Sequence, residues 1–283
     1  MLAPQNAKGP AVLILPGSGP TDRDGNNPLG IKGSPYRLLA EGLAGKGIAT
    51  VRIDKRGLAG SARAVRNANS TTMSGYAADV HAWIKVIQEK TGAPCVWLAG
   101  HSEGGLVALA ASREPGDICG LVLIAAPGRP AGQVLRDQLE ARLGNAPFFD
   151  QGVWAIGELE AGRHVRRDAI HPALMPLLRP DLQDYLISMF ALDPAKLAAG
   201  FDKPVLVVQG DRDLQVSVAD AKRLKQAAPN AKLLLLPDTN HVLKTVKSAD
   251  RAANMVAYTK ADVPLPPGLT SGIAEFIQSA PQG

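Results

Sequence analysis

The chain has 283 residues, 46% hydrophobic and 20% charged, with a net charge of +5. This is enough length for one α/β domain with a sizeable core, and the composition is ordinary for a globular enzyme. The Lys and Arg residues are scattered, only 4% of residues are aromatic, and no run approaches the roughly 18 apolar residues of a membrane span, so neither nucleic-acid binding nor a membrane-spanning segment is expected.

Taken in order, residues 1–10 are too short and too polar for a signal peptide. Residues 11–15 (AVLIL) read as a buried strand ended by Pro16-Gly17. A polar loop, 17–33, leads to a helix that starts at Ser34-Pro35, with Leu38, Leu39 and Leu43 on one face. Residues 49–53 form the next strand and run into Asp54-Lys55-Arg56-Gly57. Between 71 and 90, Tyr76, Val80, Trp83, Ile84 and Ile87 recur at helical spacing. Further strands are expected over 95–99, 120–126, 204–209 and 231–236, with helices over 105–111, 217–228 and from Pro267 onward. Strands that are nearly continuously apolar and alternate with helices indicate a parallel sheet covered on both faces.

The alternation stops between 128 and 200. That segment is helix-prone, broken by prolines, and too long for a loop between two strands, so a helical insertion is expected there. Cys95 and Cys119 each begin a strand and are expected as free structural thiols, since two cysteines make no disulfide framework.

The chemistry centres on Gly100-His101-Ser102-Glu103-Gly104. This G-x-S-x-G lies between an apolar strand and a small-residue helix, the context in which the motif presents a nucleophilic serine. So tight a turn strains the serine backbone and crowds the positions two before and two after it, which suits glycine. Serine needs a base, and the base needs an orienting acid. Of five histidines, His81 lies within a helix, His101 adjoins the serine and cannot fold back to it, and His164 and His171 lie in the insertion. His241 follows the strand 231–236 at the carboxyl edge of the sheet, where the serine also emerges, and position therefore selects it. The acid should follow the strand 204–209, where Asp211 and Asp213 both qualify. An oxyanion hole needs two backbone N–H groups, and the residue after the nucleophile, Glu103, supplies one. Its carboxylate stands in the first helical turn, where negative charge is favourable.

The cluster Asp22-Arg23-Asp24-Gly25-Asn26 does not fit a calcium loop, because its glycine falls at the fourth position and Gly33 replaces the closing glutamate. Gly17-Ser18-Gly19 lacks the third glycine and the directly following helix of a dinucleotide loop. No metal and no cofactor are expected. The cluster reads instead as an internally salt-bridged loop that braces the backbone beside the serine.

Together, the G-x-S-x-G, the segment Gly17-Ser18-Gly19-Pro20-Thr21-Asp22-Arg23-Asp24, the turn Asp54-Lys55-Arg56-Gly57, Gly210-Asp211-Arg212-Asp213 and Asn240-His241 resemble the α/β-hydrolase superfamily, and within it bacterial serine carboxylesterases with a GSGPxDRD oxyanion loop. The resemblance implies a mostly parallel twisted sheet with helices on both faces. It implies a core of 1–127 and 201–283 and a helical cap over 128–200. It assigns Ser102, Asp213 and His241 as the triad, in that order, and Ser18 as the second oxyanion donor; Asp211 would then shape its loop by bonding backbone N–H groups. The implied activity is cleavage of short-chain carboxylic esters through an acyl-enzyme, with a small-molecule ester as the substrate. A thioesterase, a serine aminopeptidase and a non-catalytic hydrolase-like binding protein are the alternatives. Relatives of this architecture usually begin with an extra antiparallel pair of strands, so the N-terminus looks cut. The expected location is the cytoplasm or, if an export signal was trimmed, the periplasm or exterior.

Overall fold

The computed structural model describes residues 1–2, 9–28, 30–248, 250–260 and 263–280. Most of the N-terminal stretch, and Leu29 of the polar loop, lie outside the described residues. Six strands form one sheet: β1 (Ala11–Leu15), β2 (Ala49–Arg52), β3 (Val96–His101), β4 (Ile118–Ile124), β5 (Val205–Gly210) and β6 (Ala231–Leu236). Their order is β2-β1-β3-β4-β5-β6 and every pairing between them is parallel. Leu2 adds one antiparallel bridge to Thr50.

Parallel strands need covered faces because neither side meets water. The alternation of side chains along each strand divides the core accordingly. Val12 and Ile14 of β1, with Trp97 of β3, face α1 (Pro35–Ala44) and α11 (Leu269–Ser279), where Trp97 meets Phe276 edge-on at 5.6 Å. Leu13, Leu15 and Leu98 face the other way, toward α2 (Met73–Thr91), α3 (Glu103–Ala111) and α9 (Val218–Ala227). The strand order reverses direction between β1 and β3, so the crevice at their carboxyl ends is where a doubly wound sheet binds ligands.

Between β4 and β5 lie α4 (Ala131–Leu143), α5 (Phe149–Glu160), α6 (Met175–Leu178), α7 (Gln183–Phe190) and α8 (Pro194–Ala199). Ile156, Leu159, Leu174, Leu178, Leu186 and Phe190 are buried against one another, giving these helices an apolar centre of their own. Ala198 of α8 is buried instead with α3 and α9 in the layer that covers the sheet. One helix was not expected, α10 (Arg251–Ala257), whose seven residues carry too short an apolar stripe to read.

Cys95 and Cys119 depart from expectation. They are joined in a disulfide with Cα atoms 5.2 Å apart. Cys95 immediately precedes β3 and Cys119 is the second residue of β4, and these two strands are direct neighbours. The register shifts between Val96, which pairs with Ile118, and Trp97, which pairs with Gly120, leaving Cys119 as the extra residue at the bulge. A count of cysteines carries no information on which strands pair, so only the register brings these two together.

Candidate active site

Ser102 sits between β3 and α3 with φ 54° and ψ −121°, a backbone conformation that costs an L-residue energy and persists only where the surroundings enforce it. The flanking glycines show what enforces it. A Cβ on Gly100 would lie 2.2 Å from the Gly104 carbonyl oxygen, and one on Gly104 would lie 2.3 Å from that of Leu15. The turn is thus wedged between its own helix and the end of β1. The same crowding places the loop after β1 against the serine, since a Cβ on Gly17 would come within 3.3 Å of the Ser102 Cβ.

Two backbone N–H groups near the serine are already engaged. That of Gly17 donates to the Tyr36 hydroxyl at 3.0 Å and that of Ser102 to the Ile124 carbonyl at 2.8 Å. Those of Ser18 and Glu103 have no acceptor among the described residues.

His241 lies in the loop after β6, 5% exposed, and its Nδ1 is 2.8 Å from Asp213 Oδ2. Asp213 leaves β5 with a side chain only 1% exposed. Its Oδ1 accepts from the Gln215 and Val216 N–H groups at 2.7 and 2.9 Å, and its Oδ2 also accepts from Gln209 Nε2 at 3.1 Å. Burial pushes this carboxyl group up, but the adjacent His241 and the two N–H donors outweigh burial and hold it below its ordinary value, so it stays ionised. Asp211 is exposed and its carboxylate makes no hydrogen bond among the described residues. Asp213 therefore performs the loop-shaping expected of Asp211, besides meeting the histidine.

The rim of the site is braced by three consecutive side chains after β2, each with a different target. Asp54 takes the Arg23 guanidinium and the Arg23 N–H, the latter at 2.7 Å. Lys55 donates to the Gly17 carbonyl at 2.8 Å and to the Glu103 carboxylate at 3.4 Å. Arg56 pairs with Asp79 of α2 at 2.6 Å. Asp24 is paired with Arg52 of β2. The DRD cluster is therefore not salt-bridged within itself, as the sequence suggested. Its Asp22 does shape the loop, accepting from the Asp24 and Asn26 N–H groups, but its other two charges tie it outward to β2 and the turn that follows. The reason is geometric: β1 and β2 are neighbours, so the segments leaving their carboxyl ends lie side by side.

Lys55 and Glu103 are 7% and 5% exposed and form a buried ion pair beneath the serine. Tyr185 of the cap helix α7 reaches the same place: its phenol is pushed well above its ordinary value by burial and by the Glu103 carboxylate beside it. The Lys55 ammonium also lies 5.8 Å over the Tyr76 ring.

Several of these groups escaped the sequence reading. Gln209 is the lone polar side chain in an otherwise apolar β5, and that was the available signal. Asn254 of α10 donates to the Arg212 carbonyl at 2.7 Å and is in contact with the Asn240 amide, clipping the acid loop to the base loop; nothing local announces it. His164 and His171 lie away from this cluster, the first against Asp184 and the second stacked on Phe148. A hollow of about 810 Å³ on the cap, bordered by Arg166, Ile170 and Met175, includes none of the residues around Ser102. No group of three or more His, Cys, Asp or Glu able to hold a metal ion occurs among the described residues. No helix among them is long and apolar enough to cross a membrane.

Known structures share this architecture. Est1E from Butyrivibrio proteoclasticus, solved with ferulic acid, superposes with a TM-score of 0.60 at 17% identity, covering 98% of this chain and 91% of that one. A thermophilic esterase from Thermogutta terrifontis gives 0.57 at 18% identity, covering 96% and 90%. The enol-lactonase from Burkholderia xenovorans gives 0.57 at 20%, covering 98% and 94%. The chain has the α/β-hydrolase fold. In sequence, residues 31–149 match the serine aminopeptidase S33 family. Esterase EstD of Thermotoga maritima is 30% identical over 246 residues, which is 83% of this chain and 54% of that protein. The chain thus spans about half the length of this curated relative.

Proposed function

We propose that this chain is a serine carboxylesterase, resembling the bacterial enzymes with a GSGPxDRD oxyanion loop, that cleaves short-chain carboxylic esters through an acyl-enzyme. The reading rests on a serine on a strained turn whose neighbour His101 has its ring 4.9 Å from that of His241, which is itself hydrogen-bonded to the buried Asp213. Ser102 attacks the ester carbonyl while His241 takes its proton. The Ser18 and Glu103 N–H groups, both unengaged, receive the oxyanion. His241 then returns the proton to the leaving alcohol and activates the water that releases the acid. Asp213 holds the imidazole by Nδ1 and stabilises its charged form.

An aminopeptidase, the rival raised by the S33 match, needs a carboxylate free to take the substrate's ammonium group. Glu103 is buried against Lys55 and Glu158 and Glu160 pair with Arg163 and Arg136, whereas Glu140 and Asp150 are exposed and in no ion pair among the described residues. The ester reading is therefore preferred on the similarity to an esterase. Most apolar residues of the segment between β4 and β5 pack into a centre of their own, with Trp154 and Leu177 left exposed, and we take the substrate site to be a small pocket in place of a lipid-docking groove.

A fluorophosphonate probe followed by mass spectrometry should place one adduct on Ser102. Ser102→Ala should lower kcat by about 10⁶-fold with the fold retained. Across p-nitrophenyl esters from acetate to palmitate, kcat/KM should peak at about two to six acyl carbons, because each added CH₂ helps only while it fits. No adduct, or an adduct on another serine, would remove the assignment of the nucleophile. A maximum at ten carbons or beyond would make the cap a lipase lid.

A further inference from the structure

His101 adjoins the nucleophile, yet its ring takes no part in the proton transfers just described. It is 6% exposed, and both of its nitrogens are engaged. Nε2 lies 2.8 Å from the carbonyl oxygen of His241, and Nδ1 lies 2.8 Å from the Tyr36 hydroxyl. That hydroxyl in turn receives the Gly17 N–H at 3.0 Å.

The proton positions along this chain are forced. A carbonyl oxygen only accepts, so Nε2 carries the hydrogen. The ring is neutral, because burial pushes its pKa down to about 3, with the neighbouring His241 adding to the fall. Nδ1 is therefore an acceptor, and the Tyr36 O–H must donate to it. The Tyr36 oxygen is then free to accept from Gly17. The result is one directed chain, from Gly17 N–H to Tyr36, from Tyr36 O–H to His101, and from His101 Nε2–H to the His241 carbonyl. Its two ends are the residue before the oxyanion donor Ser18 and the backbone of the base. Its middle is covalently joined to Ser102.

We infer that Tyr36 and His101 form a positioning relay that holds the oxyanion loop and the base in register with the nucleophile. The inference rests on the triad reading above. Lys55 holds the Gly17 carbonyl, which shares a peptide plane with the Ser18 N–H, while the Tyr36 bond holds the preceding Pro16–Gly17 peptide, so the two together fix Gly17 from both sides and Tyr36 anchors the loop that carries the donor. The remaining link holds the main chain from which the His241 ring hangs. The ring centroids of His101 and His241 are 4.9 Å apart, so a shift of one is felt by the other. A positioning error of about 1 Å can cost on the order of 100-fold in rate.

The test uses Tyr36→Phe, His101→Gln and the double variant in the intact chain. The Phe keeps the ring packing and removes only the hydroxyl. The Gln can place its amide nitrogen near Nε2 but offers Tyr36 no equivalent of Nδ1. Kinetics on p-nitrophenyl acetate should show each single variant lowering kcat by about 10- to 100-fold with KM within about threefold of wild type. The double variant should be no worse than about threefold below the weaker single, because a broken chain cannot be broken twice. A merely structural role would give losses in log kcat that add, and that result overturns the relay. So does a kcat for Tyr36→Phe within twofold of wild type. If His101→Gln does not fold, as judged by circular dichroism, Tyr36→Phe decides alone. Fluorophosphonate labelling of the wild type separates the two levels. An adduct at Ser102 with unimpaired Tyr36→Phe removes the relay only, whereas no adduct at Ser102 removes the triad reading and the relay with it.

Discussion

The floor beneath Ser102 and the surface of the cap are both rich in ion pairs, but the pairs differ in kind. Beside the serine turn, the Lys55–Glu103 ion pair and the hydrogen-bonded Asp213–His241 pair are buried almost completely, and most of their polar atoms have named partners. On the cap, Arg163–Glu158 and Arg166–Asp168 stand in solvent. Water can replace either partner in these two exposed pairs. It cannot do so beneath the serine, where a group that loses its partner stays buried and unpaired. Buried pairs therefore fix positions, and the cap pairs decorate a unit held together by Ile156, Leu159, Leu174 and Phe190.

The sharpest way to break this contrast is at the two aspartates of one loop. Asp213→Asn should lower kcat by roughly 10⁴-fold, because the amide favours the wrong imidazole tautomer. Asp211→Asn, whose carboxylate meets only solvent, should leave kcat and the unfolding midpoint unchanged within error. Steady-state kinetics on both variants decides, and a loss at Asp211 would show that exposure is a poor guide here.

Next in size is the ion pair. Lys55→Met strands the Glu103 carboxylate and deprives the Gly17 carbonyl of its donor, and should cost about 3–5 kcal/mol in urea unfolding. Adding Glu103→Gln should return part of that loss, since the stranded charge is gone. Arg163→Ala on the cap, the matched control, should not move the urea midpoint. Equal effects at the two sites would erase the distinction between floor and cap.

Smaller again is the disulfide. Unfolding the oxidised chain in denaturant without reductant should expose no free thiol to Ellman's reagent. Opening a link across 24 residues should cost about 3 kcal/mol, through the loop entropy returned to the unfolded chain. Titration of two thiols in the oxidised chain would return Cys95 and Cys119 to the free state first expected. A disulfide persists most readily in an oxidising compartment, which gives the same titration a bearing on where the protein works.

Much of the molecule was legible in the sequence. The central strands announced themselves as apolar runs because the interior of a parallel sheet is dry on both faces; β1 and β5, and the half-exposed edge strand β6, fall within a residue of their expected bounds. The elbow at Ser102 was legible because its geometry tolerates only glycine two residues to either side, so that backbone sterics are written directly into residue type. The helical segment between β4 and β5 was legible only as an interruption, because helices packed on one another carry periodicity without saying where they sit. The resemblance already pointed to Asp213 as the partner of His241, but tertiary structure alone decided that Arg23 turns outward to Asp54, that Cys95 reaches Cys119, and that His101 is spent on Tyr36 and a backbone carbonyl. These are contacts between side chains and partners about 24 to 140 positions apart, set by strand order and register. Local sequence dictates which segments become strands and turns, since those depend on neighbouring residues. It does not encode which strands lie side by side, and the partner of every buried charge follows from that.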